Sequence, residues 1–113
     1  MTKNTKATLS LPQSLIEVIR RVGRKIQIAR KRRGYSQNKL ANLVFTSRGT
    51  IQRIEKGDPG VSFGTLCHVL WALQLDSDLD NLADSDRDDR GLALANQNLP
   101  RRVRQREEDD LDF

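Results

Sequence analysis

The side chains with the most specific chemistry in this sequence are Arg48 and Gln52, four residues apart and therefore on one face of any helix that holds them. A guanidinium is a planar fork of donors that matches guanine O6 and N7. A primary amide donates and accepts in the pattern that adenine N6 and N7 present. Gly49 lies between the two and permits close backbone approach, while Thr46 and Ser47 have the size to meet a thymine methyl or a phosphate. Arg53 and Lys56 add cations suited to phosphates. Gln37 stands at the head of a preceding segment, where the free N–H groups and dipole of a helix start favour an anion. The blander reading of Arg48 and Gln52 is a solvated helix face. Metal or catalytic chemistry has less to stand on. Cys67 and His68 adjoin, but the chain holds one Cys and one His, and a metal centre needs further ligands. No Gly-rich phosphate loop and no acid–base pair of fixed geometry is visible. The chain is therefore expected to be no enzyme, with no cofactor and no metal.

For Arg48 and Gln52 to act together, residues 47–56 must form a helix seated on a larger body, and Ile51 and Ile54 provide its apolar side. Gly57 stops it, and Asp58-Pro59-Gly60 is a turn. A short helix over 37–44, capped by Ser36, precedes it, with Leu40, Ala41 and Val44 inward and Phe45-Thr46 as a tight turn. Ser14 and Glu17 have capping-box spacing, so a first helix is expected from there to a left-handed stop at Gly34. Its stripe is Leu15, Ile19, Val22, Ile26 and Ala29. Gly23 interrupts it and leaves open one helix or two hinged pieces. Ser62 caps a further helix to about Leu73, with Leu66, Val69, Leu70 and Leu73 at core spacing. Trp71 and Phe63 are expected in the core or at a dimer interface. Asp78 to Leu82 has the length of one more turn.

Charge divides the 113 residues sharply: residues 1–57 carry fourteen Lys and Arg against two acids, and residues 58–113 six Arg against thirteen acids. The basic half points to a polyanion, nucleic acid or an anionic membrane surface. No apolar run approaches the ~20 residues that span a bilayer, and the polar start lacks a signal-peptide pattern. A lone cysteine excludes an internal disulfide. These features imply a cytoplasmic protein of one small domain: a flexible arm over 1–13, a helical domain over 14–83 and a charged tail over 84–113.

Residues 22–75 resemble the Cro/C1-type helix-turn-helix of the XRE repressor family. The likeness is carried by Val22-Gly23-Arg24-Lys25-Ile26, Gly34-Tyr35-Ser36-Gln37, Leu40-Ala41, Ser47-Arg48, Thr50-Ile51, Arg53-Ile54-Glu55-Lys56-Gly57 and Ser62-Phe63-Gly64-Thr65-Leu66. It implies an all-α, compact four- to five-helix domain and a homodimer on a double-stranded DNA operator. It also implies base contacts from Arg48, Gly49, Gln52 and Ser47, and phosphate contacts from Gln37, Ser36, Thr46, Thr50, Arg53 and Lys56. Arg30 and Glu55 stand where the family places a structural ion pair. Phe45 departs from the family, which has Gly in the turn. A left-handed backbone strains Phe, so a looser turn or a packed Phe45 is expected.

The tail is expected to be partly disordered or strand-forming. Asp84 to Arg90 reads as a solvated linker. Leu92 and Leu94 would share one face of a strand and are candidates for dimer or partner contacts, as an intermolecular strand pair or as a helix packed on the partner, against the alternative of a disordered tail. The basic run from Arg101 and the acidic end closing on Phe113 resemble the tails of HipB-like antitoxins, which implies a HipA-like kinase toxin as partner and Phe113 as an anchor. A merely solubilising terminus is the other reading. The alternative function is a protein-interaction adaptor whose helical core scaffolds a partner held through the tail.

Overall fold

The computed structural model describes residues 5–98, and its regular elements are all helical. Five α-helices come first: α1 (Lys6–Leu9), α2 (Gln13–Arg32), α3 (Gln37–Leu43), α4 (Arg48–Lys56) and α5 (Phe63–Ala72). The chain divides between Ser77 and Asp78 into two compact units. Among the described residues no helix is long and apolar enough to cross a membrane.

Serines start the central helices. Ser36, Ser47 and Ser62 each take the amide three residues on, from Lys39, Thr50 and Thr65, which satisfies donors that a helix start leaves unpaired. The capping box expected at Ser14 and Glu17 does not form. Pro12 stands at the cap with φ −57° and no side-chain bond. Its fixed backbone suits the entry to a helix, so the cap lies two residues earlier than Ser14, and Ser14 is inside α2. The arm expected to be flexible holds α1, closed by reciprocal Thr5–Thr8 bonds of 2.8 and 3.4 Å.

All four longer helices of this unit end alike. The amide following the left-handed residue reaches five residues back: Tyr35 to Arg30, Thr46 to Ala41, Asp58 to Arg53 and Leu75 to Leu70. This closure needs a left-handed residue. Gly34 and Gly57 supply it at two ends, and Phe45 (φ 55°) and Gln74 (φ 62°) at the others. The turn after α3 is therefore neither loosened nor packed over Phe45, whose side chain is 92% exposed. The hydrogen bonds of the α3 closure hold the strained residue in place. Phe45→Gly is expected to raise stability by about 0.5–1 kcal/mol, the left-handed penalty less the chain entropy of glycine. A lowered denaturation midpoint would contradict that.

Ile26, Leu40, Ile51, Val69 and Leu73 are wholly buried, with Ala29, Ala41, Val44 and Ile54 around them. The α2 stripe engages from Val22 onward, while Leu15 stays exposed. Trp71 and Phe63 are not core residues, at 61% and 62% exposure. Trp71 lies two positions from both Val69 and Leu73, which puts it on the opposite side of α5. Gly23 does not split α2. It sits where the helix crosses α4, and a Cβ there would strike the Ile54 carbonyl oxygen and lie 2.8 Å from that of Glu55.

Beyond α5, 3-10 turns span Ser77–Asn81 and Ser85–Arg87. Asp84 caps the second, accepting from Asp86 N at 3.1 Å, so the stretch read as a linker has local structure. Residues 89–98 are helical, not a strand. Asp88 opens them, its side chain accepting from Gly91 N at 2.9 Å, and the Leu-Ala alternation that mimics a strand is composed of strong helix formers. Leu92 and Leu94, 47% and 46% exposed, then fall on different faces. Phe113 lies outside the described residues.

Candidate nucleic-acid interface

α4 is amphipathic, and its two sides have different fates. Ile51, Ile54 and Glu55 are buried, Arg48, Gly49 and Lys56 are exposed, and Gln52 and Arg53 are half-buried. Its start is rigid, because Ser47 Oγ lies 3.2 Å from Thr50 N and 3.0 Å from Thr50 Oγ1. Arg53 Nη2 donates to that same Thr50 hydroxyl at 3.1 Å. The Ser36 and Ser47 oxygens act as caps, and both lie on exposed residues beside the start of a helix.

Under the exposed side lies a buried ion pair. Arg30 Nε donates to Glu55 Oε2 at 2.7 Å and Nη2 to Oε1 at 3.1 Å, and each residue is 7% exposed. The third guanidinium nitrogen, Nη1, donates to the Tyr35 carbonyl at 2.8 Å, so Arg30 joins α2, the α2–α3 turn and α4. Gln37, in the first turn of α3, donates from Nε2 to Glu55 Oε1 at 3.1 Å and accepts from Arg48 Nε at 3.3 Å. The structure thus brings together Arg30, Glu55, Gln37 and Arg48.

Gln52 lies on the face of α4 next to Arg48. Thr46 is half-buried in the turn that leads into the helix. Leu92 and Leu94 belong to the other compact unit. The link from Gln37 to both Glu55 and Arg48 has no signature in one-dimensional spacing, since it arises from the crossing of α3 and α4. The Tyr35 carbonyl, a backbone partner, is equally silent in the sequence.

Laid out in this way, α4 presents a guanidinium, an amide, a glycine and the Ser47 cap, with further cations in its last turn, and the Ser36 cap stands at the start of α3. Such a surface can hydrogen-bond base edges and phosphates. A family model described as a helix-turn-helix domain matches residues 21–82, more than half of the chain. No curated protein matches it.

Proposed function

The chain belongs to the helix-turn-helix domain family, and from that premise we propose that it is a sequence-specific repressor that binds double-stranded DNA as a homodimer. The observation that carries this reading is the outward side of α4, where Arg48 and Gly49 are exposed and Gln52 half-exposed over a buried Ile51–Ile54 seat. A helix so seated can enter the major groove with its first turn against base edges. Arg48 and Gln52 read bases, with Ser47 and Gly49 close to them. Ser36, Gln37, Thr46, Thr50, Arg53 and Lys56 surround the phosphates. Two copies would place two such helices on half-sites about 34–36 Å apart. The finer reading is a Cro/C1-type XRE regulator acting as a HipB-like antitoxin, which represses its own operon and holds a HipA-like kinase. Co-purification with a HipA-like kinase expressed alongside the chain tests that part.

The DNA reading is tested by enriching duplexes from a randomised pool with the full chain, then titrating the enriched duplex and its single-base variants. Arg48→Ala is expected to cost about 1–3 kcal/mol and to relax preference at one base pair. Affinity should fall steeply with salt as Lys and Arg release phosphate counterions. Binding indifferent to both Arg48→Ala and salt would overturn the proposal.

A further inference from the structure

We propose that Phe45 is a specificity-determining residue, its ring packing against the methyl group of a thymine that adjoins the base pair read by Arg48. The proposal rests on α4 being the DNA-reading helix.

Phe45 is strained, and its side chain stabilises almost nothing within the protein. The backbone is left-handed, at φ 55°, a region that glycine adopts freely and that strains a residue with a Cβ. The ring is 92% exposed, the most of any large apolar side chain among the described residues. An outlier held in place beside a candidate site points to a function for the side chain. Phe45 also stands apart from other exposed apolar groups. Leu43 and Trp71 share a recess with Tyr35 and Ala72, and Phe45 does not line it.

Its place in the chain says what covers the ring. Phe45 directly precedes Thr46 and the Ser47 cap of α4, and three residues of chain keep its Cα within ~11 Å of that of Arg48. The exposed charges of α3, α4 and the turn between them are all positive. Lys39, Arg48 and Lys56 are exposed, while the one acid of this stretch, Glu55, is buried in its ion pair with Arg30. A partner that covers the turn must therefore bring anions and an apolar group together. A duplex does so, since its phosphates lie beside the thymine methyl, the apolar group that base edges present in the major groove.

Replacing thymines of the enriched duplex one by one with deoxyuridine tests this, because the exchange removes the methyl and keeps the hydrogen-bonding groups of the base. The full chain should lose about fourfold in affinity at one thymine adjoining the base pair read by Arg48, the scale of one buried methyl. Phe45→Gly should bind the thymine and deoxyuridine duplexes alike, with an unchanged salt slope. Its expected higher denaturation midpoint would exclude misfolding as the cause. Methyl sensitivity that persists in Phe45→Gly would assign the contact to Thr46 or Ser47 and overturn the proposal. So would an enriched site with no thymine at that place. Wild type and Phe45→Gly indistinguishable on every duplex would leave the ring to an acidic protein partner, and also overturn it. The wild-type scan decides without any variant, should Phe45→Gly fail to fold. A duplex that responds to Arg48→Ala and ignores methyl removal sinks this proposal alone. If no duplex is enriched, the DNA reading fails and takes the proposal with it.

Discussion

Arg30→Met is expected to destabilise the fold by about 3–5 kcal/mol, because it strands a buried carboxylate. Glu55 is 7% exposed and takes two of its bonds from Arg30. The Gln37 amide that remains is neutral. The substitution also removes the donor to the Tyr35 carbonyl. A small domain has about 5–15 kcal/mol in total, so the variant should be marginal at physiological temperature. Methionine keeps most of the length of the side chain and limits cavity formation. The decisive comparison is the double variant Arg30→Met/Glu55→Leu, which buries no charge and should recover much of the loss. Urea midpoints followed by helical circular dichroism measure both. Equal losses in the single and double variants would mean that packing, and not the stranded charge, governs the site.

Gly23→Ala is expected to cost about 3 kcal/mol, the upper end of overpacking. In an open helix the same change would gain about 1 kcal/mol from helix propensity. The contact decides the sign. The added carbon would meet the carbonyl oxygens of Ile54 and Glu55, which are backbone atoms inside α4 and cannot swing aside. Gly64, in the first turn of α5, is the control, since a Cβ there meets nothing within 4 Å. Alanine should be tolerated at Gly64 and damaging at Gly23. Equal midpoints for the two variants would show that α2 and α4 separate without cost.

The elements were readable where side-chain chemistry is local. The Ser36 and Ser62 caps, the Gly34 and Gly57 stops and the helical spacing of Leu40 with Val44, Ile51 with Ile54 and Val69 with Leu73 each carry a signal within a few residues. Non-local facts did not show. Gly23 reads as a weak point in a helix because nothing in its neighbourhood announces that another backbone lies against it. Leu92 and Leu94 read as a strand because alternation of Leu and Ala satisfies a period of two while being good helix sequence. Phe45 reads as a misfit because hydrogen bonds closing the end of α3 are invisible until the chain is folded. The outer residues of α4 follow from period and type, whereas the bonds from Glu55 to Gln37 and on to Arg48 depend on how two helices cross.

The close approach at Gly23 also bears on redesign. Where α2 meets α4 at that point, main chain rests on main chain, and this contact together with the buried Ile51–Ile54 seat fixes the elevation of α4 over the domain. Residues on its outer edge can then be exchanged as a cartridge on a fixed mount. New sequence preferences become a matter of substituting a few surface positions, with no need to rebuild the interior.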